Sequence, residues 1–223
     1  MPKLAWDQTG QRTYETGVDH GVLYLNDPAK PDNPYSKAIV WNGLTAVTEA
    51  PSGAESNPQY ADNMKYIDLV SAEEFKATVE AFTYPIEFAE CDGTAFPSQG
   101  VAFGQQGRRQ FGMCYRTKVG NDVEGQEYGY KLHLIYGCQA APSEKGYKTI
   151  NDSPEAITFS WELNTTPVGV KTGDYKPVAS VTIDSRTLDP AKLKALEDIL
   201  FGTETLPARL PLPDEIIELT KAA

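Results

Sequence analysis

The chain has 223 residues, of which 40% are hydrophobic and 23% are charged, a composition typical of a globular domain and not of a disordered chain or a fibre. Its 31 acidic and 20 basic residues give a formal net charge of -11, which disfavours a protein that grips nucleic-acid phosphates. No apolar run reaches the ~20 residues of a membrane helix, and residues 1–7 lack the pattern of a signal peptide. We therefore expect one domain over residues 1–223, made in a cytoplasm and not inserted into a membrane.

Two segments show no compact pattern. Residues 1–19 are polar and aromatic without a clean period and predict an N-terminal arm, whereas residues 50–64 are rich in Pro, Ser, Gly and Asn and predict a long loop. A loop of this length is either functional or a tolerated surface insertion, and composition alone leaves both interpretations open. The candidate interface residues are Trp6, Arg12 and Tyr14 in the arm and Ser52, Glu55, Asn57, Tyr60 and Asp62 in the loop.

Alternation of apolar and polar residues with a period of two predicts strands that bury one face. The pattern is clearest over residues 156–163, where Phe159 and Trp161 share a face and are predicted core residues. Further strands are predicted at residues 20–25, 37–48, 75–84, 109–119, 128–138 and 177–184. About seven strands without intervening helices indicate a mainly β fold with two packed antiparallel sheets, a sandwich or barrel.

One helix is predicted near the C-terminus, over residues 189–201. Asp189 can cap its first turn, Pro190 suits the first helical position, and Gly202 can end the last turn. Leu193 and Leu196 lie on its narrow apolar stripe, so we expect this helix to flank the sandwich and to supply core residues. The C-terminal segment, residues 213–222, contains a second short helix predicted at 214–221.

The sequence predicts no catalytic, metal or cofactor site, and we expect that the protein is not an enzyme. No nucleophile elbow, phosphate loop, zinc-protease motif or dinucleotide fingerprint is present. The three cysteines are far apart and match neither a disulfide framework nor a zinc site, so we expect buried free thiols. His20 is predicted to begin a strand or to lie at an interface, and His133 to make a cross-strand contact.

The acidic residues near the middle of the chain have a structural interpretation. Glu87, Glu90 and Asp92 match no calcium loop. We predict that Asp92 stabilises a backbone turn in which Gly93 takes a positive φ.

Seven stretches, spread over nearly the whole chain, carry a resemblance to a known family. In chain order they are YETGVDHGVLY (14–24), WNGLTAVTE (41–49), YADNMKY (60–66), EAFTYP (80–85), EFAECDG (87–93), NDSPEAITFSWE (151–162) and LPLPDE (210–215). With these stretches the chain resembles the major tail protein family, the tail tube proteins of long-tailed, non-contractile bacteriophages (siphophages). The resemblance rests on the number and order of the stretches, because none of them is as specific as a metal motif.

The resemblance implies a two-sheet sandwich with a flanking helix, assembled into hexameric rings that stack into a tail tube. The implied partners are other copies of the chain, the tape-measure protein, the tail terminator and the distal tail proteins, and the location is the virion, assembled in the cytoplasm of the host bacterium. DNA would pass through the tube without specific binding, along an acidic wall. Glu80 and Glu162 are the candidates for that wall, because both occupy polar positions of alternating strands.

Other classes of protein remain open on the sequence alone. A β-sandwich decoration or receptor-binding module of a virion would form monomers or closed trimers. An inner tube protein of a contractile injection machine would share the general fold. A small-molecule-binding barrel or a hydrolase would need a deep apolar cavity with perturbed acids.

Overall fold

The computed structural model describes residues 4–150 and 152–221. The strands are β1 Thr13–Leu25, β2 Lys37–Trp41, β3 Leu44–Glu49, β4 Ser56–Ala61, β5 Met64–Val70, β6 Lys76–Ala81, β7 Ala95–Ser98, β8 Val101–Phe103, β9 Phe111–Asn121, β10 Gly125–Ala140, β11 Phe159–Thr165 and β12 Ser180–Asp184. The helices are α1 Pro190–Phe201 and α2 Pro213–Thr220, with a 3-10 turn at Ile86–Glu90. The predicted mainly β, antiparallel fold with a flanking C-terminal helix is confirmed.

Eight strands form one hydrogen-bonded sheet that folds over on itself into two layers. The order is β2-β1-β9-β10-β11-β6-β3, with β12 paired to β10. β10 belongs to both layers, because residues 131–135 pair with β12 and residues 138–140 pair with β11. We call β12, the first part of β10, β9, β1 and β2 the helix layer, and the last part of β10, β11, β6 and β3 the arm layer.

The space between the two layers is filled by aromatic side chains. Trp161 of the arm layer is fully buried, and its ring centroid lies 5.6 Å from that of Trp41 in the helix layer and 5.2 Å from that of Phe88. Phe159, the other core residue predicted in this strand, is only partly buried and stacks on Trp161 at 5.9 Å. The layers are therefore held together by tilted and edge-to-face aromatic contacts.

A second core lies between the helix layer and the two C-terminal helices. Leu193 and Leu196 of α1 are buried there, as predicted, against side chains that include Tyr24 and Leu134. The Tyr24 hydroxyl donates a hydrogen bond to the Leu200 carbonyl at 2.7 Å. α1 begins as the sequence predicts, with the Asp189 carboxylate accepting from the Ala191 and Lys192 amides.

The boundaries of most predicted strands shift by a few residues; β11, for example, is Phe159–Thr165 instead of 156–163, and β10 is Gly125–Ala140 instead of 128–138. Other differences change the layout of the chain. The single strand predicted over 37–48 is two strands, because Gly43 takes a φ of 79° and sends β2 and β3 to opposite ends of the sheet. The predicted arm, 1–19, is too long, because residues 13–19 pair with β9 as part of β1. α2 was predicted at 214–221 within the C-terminal segment 213–222, and it spans Pro213–Thr220, so it begins and ends one residue earlier. Residues 1–3 of that arm, residue 151 of the family resemblance and residue 222 lie outside the described residues.

The largest difference concerns the predicted loop at residues 50–64. It contains β4 and the start of β5, which form an antiparallel hairpin from Ser56 to Val70. β7 and β8 form another hairpin that the sequence analysis did not predict.

Replacing Trp161 with alanine should destabilise the fold by roughly 3–5 kcal/mol, because the change removes one of the two tryptophan side chains of the interlayer core and leaves a cavity. Denaturant unfolding followed by circular dichroism measures the loss. Trp6→Ala is the matched control, since the Trp6 side chain is 77% exposed and its removal should change the free energy of unfolding by less than ~0.5 kcal/mol. Equal effects of the two substitutions would contradict the assignment of Trp161 to the core.

Candidate assembly surface

The β4–β5 hairpin is the outer part of one long hairpin that starts in the arm layer. Glu49 of β3 is paired with Ala77 of β6, and the pairing continues outward through mutual backbone hydrogen bonds of 2.7 and 2.8 Å between Ser52 and Glu74. After a short interruption it resumes with Ser56 opposite Val70 in the same register. We call residues 50–52 and 74–76 the arm root and residues 56–70 the distal arm.

The distal arm stands in solvent on both faces. Within residues 4–150 and 152–221 its two strands pair only with each other, and every residue in them is exposed except the partly buried Pro58. The exposed apolar side chains are Tyr60, Met64, Tyr66, Ile67, Leu69 and Val70. An isolated two-stranded hairpin with this much exposed apolar surface is marginally stable in water and marks an interaction site.

The predicted interface residues of the loop occupy distinct places on this arm. Ser52 belongs to the root, Glu55 lies just before β4, Asn57 and Tyr60 are in β4, and Asp62 is at the tip. Asp62 and Asn63 have φ values of 51° and 61°, as a tight hairpin turn requires.

Ile67 and Leu69 were not among the predicted interface residues. They lie in β5, opposite Gln59 and Asn57 of β4, and are the apolar residues on that face of the arm. The signal for this hairpin was the Asp62-Asn63 pair between two β-compatible stretches.

A kink separates the root from the distal arm. Gly53 has a φ of 88° and Ala54 has a φ of 53°, so two successive residues adopt the left-handed conformation. A Cβ added at Gly53 would lie 2.2 Å from the Ala72 carbonyl oxygen. The two strands approach here too closely for any side chain, and the kink sets the direction of the distal arm.

The N-terminal arm is shorter than predicted but has exposed apolar residues. Leu4 and Trp6 are 74% and 77% exposed, and the Arg12 guanidinium donates to the Asp7 carbonyl at 2.8 Å. The Gly10 amide donates to the Asp122 carboxylate at 2.9 Å, which ties this segment to the β9–β10 turn. Tyr14 lies in β1 and not in the arm, with its ring close above Gly120.

Glu80 and Glu162 lie on the same face of the arm layer. Trp161 and Val79 are paired and point into the core, so the flanking Ser160–Glu80 and Glu162–Thr78 pairs point outward. α1 and α2 pack on the other layer. This outer face is therefore polar, and α1 and α2 do not cover it. It is formed by Thr78, Glu80, Ser160, Glu162 and Asn164, together with Thr48 of β3 and Lys76 of β6.

Two acidic residues that the sequence places beside possible functional groups, Asp19 and Asp92, form ion pairs within the subunit. Asp19, next to His20, accepts two hydrogen bonds from the Arg116 guanidinium, at 2.7 and 2.8 Å, and these lower the pKa of Asp19. Asp92 does not stabilise the turn as predicted, because its nearly buried carboxylate binds the Lys145 ammonium at 2.5 Å and lies 3.5 Å from Arg108. Gly93 has the predicted positive φ, 74°.

The three cysteines are buried free thiols, as predicted. Burial raises the pKa of Cys91 to about 12 and raises those of Cys114 and Cys138 as well, so these thiols are protonated at neutral pH. His133 makes the predicted cross-strand contact, stacked on Tyr115 with 4.7 Å between ring centroids.

Within residues 4–150 and 152–221, no group of three or more His, Cys, Asp or Glu side chains is placed to hold a metal ion. In the same residues, no helix has the length and apolar character to cross a membrane. Comparison with protein-family models and with curated proteins finds no match to this chain.

Gly53→Ala should open the arm root locally, because its Cβ would collide with the Ala72 carbonyl and its φ is unfavourable for alanine. We expect on the order of 1–3 kcal/mol of lost protection at the Ser52 amide, measured by hydrogen exchange. Gly17→Ala is the matched control, since Gly17 also has a positive φ, 69°, but open space around it. Unchanged protection of Ser52 in Gly53→Ala would show that the kink is not sterically fixed.

Proposed function

We propose that the chain is a structural subunit that assembles into stacked hexameric rings, the tail tube of a long-tailed bacteriophage. The observation that carries the proposal is the distal arm. It is a preformed hairpin whose apolar residues are exposed to solvent, and none of the residues that the structure describes covers them. A hairpin of this kind is suited to bury its apolar side chains on the next ring.

Ring closure requires head-to-tail contacts between different surfaces of neighbouring subunits. The helix layer ends at β12 on one side and at β2 on the other, and the arm layer ends at β3. Such strand edges expose unpaired backbone groups that another copy can use. Edges of this kind in one subunit support a ring in which neighbours pair edge to edge.

The outer face of the arm layer is the candidate for the wall of the channel. It is uncovered by the helices and bears Glu80 and Glu162. The net charge of -11 on each subunit favours a wall that repels DNA phosphates and lets the genome slide. The tape-measure protein, the tail terminator and the distal tail proteins are the proposed partners of the assembled tube, and the virion is its proposed location.

Two features favour a tube subunit over a decoration or receptor-binding module and over a small-molecule-binding protein. A decoration or receptor-binding module does not stack on further copies of itself. It would therefore not need a projecting arm whose apolar side chains are left exposed. A small-molecule protein needs a deep, enclosed apolar cavity. The described residues form clefts that open to solvent instead, of about 510 Å³ beside Phe75 and Pro177, about 440 Å³ beside Lys148 and Pro154, and about 220 Å³ beside α2.

The arm itself can be tested by replacing Ile67 and Leu69 with serine. We expect tubes to be lost while the monomer keeps its thermal transition within about 2 °C, because neither side chain packs on the sandwich. Negative-stain microscopy of concentrated protein and calorimetry measure the two effects. Replacing Asn57 and Gln59, which lie directly opposite, with serine is the matched control and should preserve tubes. Normal tubes from the Ile67 and Leu69 variant would refute the stacking role.

The proposed wall can be tested by replacing Glu80 and Glu162 with lysine. Tubes should still form, but DNA ejection from the particles should slow at least several-fold, because phosphates would stick to a basic wall. Glu204→Lys, an exposed change in the loop after α1, is the control and should leave ejection unchanged. Normal ejection, with both lysines verified in the purified tube, would remove these residues from the channel.

A further inference from the structure

A small polar cluster joins the two layers where the arm leaves the sandwich. Glu49 is the last residue of β3 and directly precedes the arm root, and its side chain points inward, paired in register with the buried Ala77. It reaches the helix layer, where the Tyr115 hydroxyl donates to its carboxylate at 2.6 Å. The His133 ring lies flat against Tyr115, with an interplanar angle of 2°. We call Glu49, Tyr115 and His133 the root clamp.

The imidazole of the clamp is partly engaged. Its Nε2 is 2.9 Å from the Thr117 hydroxyl. Its Nδ1 is buried, makes no hydrogen bond to a described residue, and lies 3.4 Å from a Glu49 carboxylate oxygen. This separation is long for a hydrogen bond but well within the range of an ion pair. The His133 side chain is 13% exposed and the Glu49 side chain is 36% exposed, so solvent screens a charge pair between them only in part.

We infer that the root clamp is a pH-responsive device, in which protonation of His133 forms an ion pair with Glu49 and stiffens the root of the arm. A neutral imidazole can donate from only one nitrogen, whereas an imidazolium donates from both. In the neutral form the Thr117 hydroxyl can donate to Nε2, which leaves the single ring proton on Nδ1 facing Glu49. In the charged form Nε2 donates to Thr117, and the contact between Nδ1 and Glu49 becomes a full ion pair. The clamp then links β3 to β10 by an ion pair in addition to the Tyr115 hydrogen bond.

The groups that face the His133 ring or lie beside it are Glu49 of β3, Tyr115 and Thr117 of β9, Lys131 of its own strand, and Thr182 and Asp184 of β12. The positive charge of Lys131 is paired with Glu15 of β1. His133, and then Tyr115, lower the pKa of Glu49, so its carboxylate stays ionised as the solution becomes mildly acidic.

The direction of the pH effect follows from the protonation of His133 and of Glu49. An imidazole gains a proton as the pH falls, so the ion pair is stronger at pH 5.5 than at pH 7.5. Because the pKa of Glu49 is lowered, the contribution of its carboxylate is lost only when the pH falls further, through that lowered value. The clamp is therefore tightest in mildly acidic solution. Its link to tube assembly rests on the proposed function, but the clamp itself does not.

Hydrogen exchange at the arm root tests the clamp in the isolated full-length protein. The Ala50 amide donates to the Lys76 carbonyl and the Ser52 amide to the Glu74 carbonyl, both at 2.8 Å, so both report opening of the root. We expect their protection factors, corrected for intrinsic exchange, to rise several-fold from pH 7.5 to 5.5. The rise should vanish in Glu49→Gln and in His133→Gln. Tyr115→Phe should retain it, because that change removes the hydroxyl and not the ion pair.

The chain has only two histidines, which provides a matched control. His20 is about half exposed and pairs with Asp19 on the surface, so His20→Gln should keep the full pH response of the root. Equal protection at both pH values in the wild-type protein would overturn the clamp, and so would a rise that persists in Glu49→Gln. Tube formation is scored separately by microscopy. A protein that shows the exchange response but forms no tubes would keep the clamp and refute the proposed function.

Discussion

The architecture depends on a single bend in β10. Gly137 has a φ of 59°, and a Cβ there would lie 2.1 Å from the Thr166 carbonyl oxygen, so only glycine fits. The bent backbone keeps its hydrogen bonds, because the Gly137 amide donates to the Tyr35 hydroxyl at 3.0 Å and its carbonyl accepts from the Thr166 amide at 3.0 Å. The strand can therefore pass from the helix layer to the arm layer without leaving polar groups unpaired. The aromatic core between the layers exists only because the sheet turns here.

The bend also separates the surfaces of the molecule. The helix layer is covered on one face by α1 and α2 and on the other by the aromatic core, so its centre is buried on both sides. The arm layer is packed on one face only, which leaves its outer face and its long hairpin in solvent. A subunit built in this way has a rigid body and one projecting arm. Glu49 lies where the two meet and contacts both layers.

Local signals predicted much of the fold and little of the candidate assembly surface. α1 was predictable because its cap, its proline and its leucine stripe lie within a few residues of each other in the sequence. The buried Trp161 was predictable from the alternation of apolar and polar residues in a strand that has one face exposed to solvent. The distal arm has no buried face, so it lacks alternation, and Pro58 weakens the strand pattern further. The clamp was not predictable, since Glu49 and His133 come together only through tertiary packing. For the same reason the partners of Asp92 were missed.

The preformed arm has consequences for the energetics of the proposed assembly. A disordered loop of 15 residues would lose backbone entropy on docking, at about 1–2 kcal/mol for each residue ordered. The distal arm is already paired in the register of the β3–β6 ladder, so fewer residues would have to be ordered on docking than in a disordered loop. Burying the half-exposed Ile67 and Leu69 then contributes roughly 1 kcal/mol for each side chain, and little of that gain is offset. Such contacts are weak singly and strong when repeated around a ring, which favours the addition of whole rings over the association of two isolated subunits.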